Sequence, residues 1–171
     1  MGHKVTVYER DKKIGGLLRY GIPDFKLEKS VIDRRINLMI QEGVIFKTGI
    51  EVGKDVEILT LENKYDIILL TGGATIKREL PISGCELNGV VQAMDFLKHQ
   101  NEVVDKVSVP NKKLSAKGKN VIVIGGGDTG SDCIGTSNRH KAKSVVNFEI
   151  QDKPPKNLSL IHISEPTRQL Q

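Results

Sequence analysis

An α/β fold built on parallel strands flanked by helices is what this sequence predicts, from three observations. The apolar run Val121-Ile122-Val123-Ile124 leads straight into Gly125-Gly126-Gly127-Asp128-Thr129-Gly130, a G-x-G-x-x-G spacing, and a helix-compatible segment follows. Tyr65-Asp66-Ile67-Ile68-Leu69-Leu70-Thr71 is nearly continuous in apolar residues, the pattern of a strand buried on both faces of a parallel sheet. Lys4-Val5-Thr6-Val7-Tyr8-Glu9 alternates, is β-branched and closes on an acid.

The elements follow in order. After the first strand comes a loop, Asp11 to Gly16, and then Leu17 to Leu27, too rich in Gly and Pro to be one regular element. Ser30 to Glu42 reads as a helix. Its Ile32, Ile36, Met39 and Ile40 form one apolar stripe, and Gly43 is a natural C-terminal stop. Val44 to Lys47 and Ile50 to Val52 read as short strands around Gly49, and Asp55 to Leu61 as a short helix. Gly72-Gly73-Ala74 breaks the apolar run before them, and Gly89 to Gln100 reads as a helix. Asn101 to Lys119, polar and lysine-rich, reads as a linker. A strand from Asn120, the glycine loop, a helix from Asp128 to Arg139 and a strand from Ser144 to Glu149 complete a second unit.

Composition narrows the class. The chain has 171 residues, 38% hydrophobic and 27% charged, which suits a soluble globular protein of one domain or two small ones. No apolar run reaches the roughly 20 residues of a membrane span, and Met1-Gly2-His3-Lys4-Val5 carries no signal-peptide core, so a cytoplasmic setting is expected. The net charge of +5 is spread out and aromatics make up 4%, which leaves few stacking platforms and argues against nucleic acid. Cys85 and Cys133 stand 48 positions apart, so neither a zinc site nor an iron–sulfur cluster can be built from this chain alone. They are expected to be reduced, partly buried thiols. His140 and His162 lack partners at metal spacing and read as plain polar residues.

The glycines carry chemistry. Gly125 permits a tight turn off the strand, Gly127 lets backbone approach a pyrophosphate, and Gly130 lets helix pack closely on strand. Asp128 and Thr129 suit helix N-capping as well as cofactor contact. Glu9 stands where a dinucleotide fold places the acid that binds an adenosine ribose, with Gly15-Gly16-Leu17 and Thr71-Gly72-Gly73 offering bare backbone nearby. Glu149, 24 residues after Gly125, favours a free ribose 2′-hydroxyl, whereas Arg139, His140, Lys141 and Lys143 are candidate cations for a 2′-phosphate.

Three segments resemble a known family: Gly2 to Glu9; Ile14 to Leu27; and Gly125 to His140, whose part from Cys133 onward is the most specific. They are similar to the small (beta) subunit of bacterial NADPH-dependent glutamate synthase, over residues 1–157. The resemblance implies two incomplete Rossmann-like domains. Residues 1–113 would be a partial FAD-binding domain with linker, and 114–157 a partial NAD(P)-binding domain. It implies that hydride passes from NADPH to FAD, and electrons then pass through iron–sulfur clusters to the large (alpha) subunit, which makes glutamate from glutamine and 2-oxoglutarate. Carried over by position, Glu9, Gly16, Leu17, Lys26, Val52, Thr71, Gly72 and Gly73 would contact FAD. Gly125, Gly126, Gly127, Asp128, Thr129 and Gly130 would hold NADPH. No side chain acts as acid or nucleophile; the cofactors supply the chemistry.

Departures from the pattern accompany the likeness. A first G-x-G-x-x-G about 20 residues before Glu9 is absent, as is the cysteine-rich region that holds the clusters in the family. Leu158 to Gln171 reads as translated adapter DNA. The chain is therefore expected to be an internal fragment that binds FAD weakly or not at all by itself. The alternatives are a flavoprotein NAD(P)H–ferredoxin reductase and, from another class, a non-catalytic nucleotide-sensing module.

Overall fold

The computed structural model describes residues 2–74, 76–77 and 79–150. Two parallel strand pairs organise them. β1 (Thr6–Glu9) pairs with β2 (Ile45–Thr48), Thr6 opposite Ile45 and Glu9 opposite Thr48. Between them run α1 (Gly16–Tyr20) and α2 (Lys29–Gln41), and α3 (Ile58–Glu62) and α4 (Ala93–Val104) follow. β3 (Asn120–Ile124) pairs with β4 (Ser144–Phe148), Ile124 opposite Phe148, joined by α5 (Gly127–Arg139). A parallel pair needs such a crossover, and a helix supplies it. The predicted α/β class with parallel strands and flanking helices is the observed one.

α2 ends as its sequence predicts. Gly43 takes φ +93, and the N–H groups of Gly43 and Val44 donate to the carbonyls of Ile40 and Met39. α4 and α5 close on left-handed residues without glycine, Lys106 (φ +57) and Lys141 (φ +60). Such a conformation costs a side-chain-bearing residue roughly 1–2 kcal/mol.

Several sequence expectations are corrected. Tyr65–Thr71 forms no strand, and Ile67, Leu69 and Leu70 are at least 80% exposed. A strand exists only by pairing. In a doubly wound order the strand that should lie between β1 and this run comes from no described residue. Ile50–Val52 shrinks to a single bridge, Val52 to Val56. The expected linker from Asn101 begins as the last turn of α4, because Asn101 is buried and bonded to the loop before α2. Cys85 is exposed rather than partly buried, while Cys133 is buried. Residues 151–171, including His162 and the tail from Leu158, lie outside the described residues.

A polar network sets the first unit. Arg19, 2% exposed, donates from Nε to the Ile14 carbonyl (2.7 Å) and pairs with Asp33 and Asp105. Lys29 Nζ donates to the carbonyls of Leu18, Ile22 and Leu27, and burial lowers its pKa. Asn101 Nδ2 donates to the carbonyls of Tyr20 and Ile22. Lys98, Asn101 and Asp105 share one face of α4, at i, i+3 and i+7, and bind Asp11, the loop backbone and Lys13 with Arg19 respectively. This fixes the glycine- and proline-rich stretch that carries Gly16, Leu17 and Lys26.

Candidate dinucleotide site

The strand–loop–helix at residues 120–139 is built as its spacing predicts. Gly125 (φ +101) and Gly127 (φ +67) adopt backbone that favours glycine, and a methyl at either would meet no protein atom. That open space lies in front of the first turn of α5. A methyl at Gly130 would lie 2.8 Å from the Gly125 carbonyl oxygen and 4.0 Å from Val123 Cγ1, so helix packs directly on loop and strand. Each glycine thus has a different physical reason, and together they leave a concave backbone surface that fits a pyrophosphate.

Asp128 and Thr129 do not cap α5. The N-cap position falls on Gly126, which has no side chain to cap with, and both residues lie inside the first turn. Glycine there contributes no capping oxygen of its own to the first-turn N–H groups, which carry the positive end of the helix dipole. β4 secures the loop from its other side. Gly125 N–H donates to the Phe148 carbonyl (2.8 Å), and Asn147 Nδ2 donates to the carbonyls of Val123 (3.1 Å) and Gly125 (2.7 Å). Beside it Ile124, Gly125, Phe148, Glu149 and Ile150 line a cleft of about 250 Å³. A cleft of about 210 Å³ lined by residues including His99, Asn111 and His140 lies instead at the C-terminal end of α5.

The first unit offers less. Glu9 ends β1 and its Oε1 accepts from the Asp11 N–H (2.9 Å). Gly16 opens α1 at φ +48, and Leu17 is exposed. Val52 makes its isolated bridge, while Thr71, Gly72 and Gly73 lie in irregular exposed chain. Among its described residues this unit therefore holds an acid at the end of β1 but no G-x-G-x-x-G loop.

Lys26 joins the two units. Its Nζ meets Asp132 Oδ1 of α5 at 2.5 Å; that oxygen is buried, off the hydrogen-bond direction, and compensated by this ion pair. The neighbouring Phe25 ring lies on Gly135, where a methyl would approach it to 2.7 Å, and under the Arg139 guanidinium at 3.4 Å. Asp132 and Gly135 were not apparent from sequence. Their only signal is the run of small or buried residues Gly130, Cys133, Thr136 and Ser137 on the inner side of α5. His140 Nδ1 accepts from the Ala116 N–H, which leaves Nε2–H to donate to Gln100 Oε1 (2.7 Å), and burial lowers its pKa. It is a neutral structural residue, not a phosphate ligand.

Burial, with Asp132 alongside, pushes the Cys133 thiol up to about 11. In the folded chain at neutral pH, iodoacetamide is expected to label Cys85 and spare Cys133 until denaturant is added. Mass mapping of the labelled peptides checks it, and equal labelling would refute the burial of Cys133. Among the described residues no group of three His, Cys, Asp or Glu side chains is placed to hold a metal, and no helix is long and apolar enough to cross a membrane.

No protein-family model matches the chain. Over 158 residues it is 51% identical to the glutamate synthase [NADPH] small chain of Mycobacterium tuberculosis, covering 90% of this chain and 32% of that one. It is 47% identical over 155 residues to the small chain of Bacillus subtilis, covering 31% of it. Glutamate synthase [NADH] of Schizosaccharomyces pombe is 51% identical over 158 residues, of which this chain covers 8%. Among solved structures, FprA of Mycobacterium tuberculosis in complex with NADPH superposes with a TM-score of 0.67 at 22% identity, over 84% of this chain and 36% of that one. That likeness shows a shared Rossmann-like fold. The chain spans about a third of the length of the small chains it matches.

Proposed function

We propose, from a chain homologous to about a third of the glutamate synthase small chains, that it forms the nicotinamide-dinucleotide site of such an oxidoreductase. The observation that carries this is the loop itself. Gly125 and Gly127 leave their Cβ positions open in front of a helix that starts on glycine, while Gly130 is closed against backbone. A chance glycine cluster has no reason to divide its glycines in that way.

The division of residues is 1–113 for a partial flavin unit and 114–157 for the dinucleotide unit. When bound, the reduced nicotinamide nucleotide supplies a hydride and FAD accepts it. Gly125 and Gly127 let the pyrophosphate meet backbone, Gly126 at the helix start and Asp128 and Thr129 in its first turn face it, and Gly130 seats the helix close behind. Glu9 accepts hydrogen bonds from hydroxyls of the flavin's ribose, and Gly16, Leu17, Lys26, Val52, Thr71, Gly72 and Gly73 belong to the flavin side. Onward transfer through iron–sulfur clusters to the large subunit, in the cytoplasm, is the role proposed for the whole protein; no cluster ligands are proposed within this chain.

Gly127→Ala tests the reading. Its methyl enters the open space and touches no protein atom, so the fold should persist, with a strain of roughly 1 kcal/mol at positive φ. Titration of the purified chain with reduced nicotinamide nucleotide, followed by nicotinamide fluorescence, should show about a tenfold or larger loss of affinity, with unchanged circular dichroism. Wild-type affinity in the variant would overturn the proposal. The same preparation should lack stoichiometric flavin, since the described residues hold no phosphate loop for it; a monomeric yellow chain would overturn that part.

A further inference from the structure

We propose that Lys26 is a positioning residue of the dinucleotide site that acts through Asp132: its amine cancels a buried carboxylate standing behind the phosphate-facing turn of α5. This rests on the dinucleotide reading of the Gly125–Gly130 loop given above. Asp132 follows Gly127 by five residues, about 8 Å along the helix axis. The residue is 6% exposed, and its Oδ1 is buried without a hydrogen bond. A negative charge there opposes the positive end of the helix dipole and repels an anion bound at the first turn. Water screens the exposed Asp128 one turn earlier, but it does not reach Asp132 in the same way. The compensation has to come from the protein.

Lys26 supplies it, with Nζ 2.5 Å from Asp132 Oδ1. The loop that carries Lys26 is pinned on both sides. The N–H groups of Lys26 and Leu27 donate to the Pro23 carbonyl, and the Lys29 N–H donates to Asp24 Oδ1. Phe25 seats the same loop farther along α5, against Gly135 and under Arg139. Two other cations nearby are committed elsewhere. Lys29 acts on Asp132 only through space, because its amine donates to three carbonyls. Arg139 is stacked on Phe25 and donates to the Gly135 carbonyl. The field of the carboxylate is felt locally, since together with burial it raises the Cys133 thiol. An ion pair that only fastens loop to helix loses the same contact whichever partner is removed. A pair that balances charge behind an anion site does not. Loss of Lys26 leaves a net negative charge there, and loss of Asp132 a net positive one.

The experiment is equilibrium titration of the full 171-residue chain with NADH, and with ADP as competitor, in wild type, Lys26→Met, Asp132→Asn and the double variant. Lys26→Met should weaken binding about three- to tenfold, the effect of one poorly screened charge about 8–10 Å from the bound anion. Asp132→Asn breaks the same ion pair, yet it should bind at least as tightly as wild type. The double variant should return to wild-type affinity, and Lys26→Arg, which keeps the charge, should retain it. All these differences shrink as salt rises. Asp132→Asn and the double variant strand no buried carboxylate, so their comparison with wild type stands even where Lys26→Met fails to fold. Asp132→Asn binding more weakly than wild type, or Lys26→Met binding as tightly, would overturn the role of Lys26 and leave the dinucleotide site standing. Failure of wild type to bind either NADH or ADP would overturn the site, and this inference with it.

Discussion

Gly130→Ala is expected to lift α5 from β3 and to remove dinucleotide binding, although alanine is the better helix former. The propensity gain is about 1 kcal/mol. Against it stands a methyl 2.8 Å from the Gly125 carbonyl oxygen and 3.4 Å from its carbon, atoms of the phosphate loop that cannot rotate away. Overpacking of that kind costs about 1–3 kcal/mol, so the net effect on stability is modest and negative. The effect on binding is larger, because the relief available is a displacement of the loop itself. Misplacement by about 1 Å can cost a hundredfold in a site that works by position. Gly135→Ala is the matched control on the same helix. Its methyl meets the Phe25 ring at 2.7 Å, a side chain at the surface that can swing, so the propensity gain and the clash nearly cancel and affinity is kept. Thermal melting with nucleotide titration separates the two variants. Equal affinity in wild type and Gly130→Ala would refute the close-packing role of this glycine.

The contrast between these glycines shows what could be read in the sequence. The unit from Asn120 to Phe148 was legible because its determinants are local. An apolar run, a fixed glycine spacing and a helix follow one another within 30 residues, and each glycine answers to a backbone need at its own position. Glu9 at the end of β1 was legible for the same reason. The strand expected at Tyr65–Thr71 failed because its apolar run states only that a strand could be buried there. Whether it forms depends on a neighbouring edge that lies elsewhere in the chain. The end of α4 was missed because Lys106 closes it in a left-handed turn without the expected glycine. Lys26 was readable as a basic residue in a loop, but its partner Asp132 lies 106 positions away, inside a helix with no periodic apolar stripe. Arg19 and Lys29 look solvent-bound in a polar loop and are in fact its core.

That core yields the second large effect. Asp105→Ala is expected to destabilise the first unit more than Arg19→Met does, although both abolish the same ion pair. Asp105 accepts from Lys13 Nζ at 2.8 Å and from Arg19 Nη1 at 3.4 Å. Removing it strands a guanidinium that is 2% exposed, left with Asp33 at the surface and the Ile14 carbonyl. Breaking a buried pair by deleting one partner costs about 3–5 kcal/mol, mostly as the penalty of the charge left behind; the partners Arg19 keeps place this case near the lower end, at about 3 kcal/mol. Arg19→Met removes the buried charge together with its desolvation cost. Asp33 then faces solvent, Asp105 keeps Lys13, and the methionine fills much of the vacated volume. Its expected cost is about 1 kcal/mol, from the lost Ile14 contact and imperfect packing. The double variant should be more stable than Asp105→Ala alone, because no guanidinium remains to be stranded. At about 2–4 °C per kcal/mol for a chain of this size, the single variants should differ by several degrees in melting temperature. Arg19→Met melting at or below Asp105→Ala would show that the guanidinium's own contacts, and not the burial of its charge, hold the loop before α2 in place.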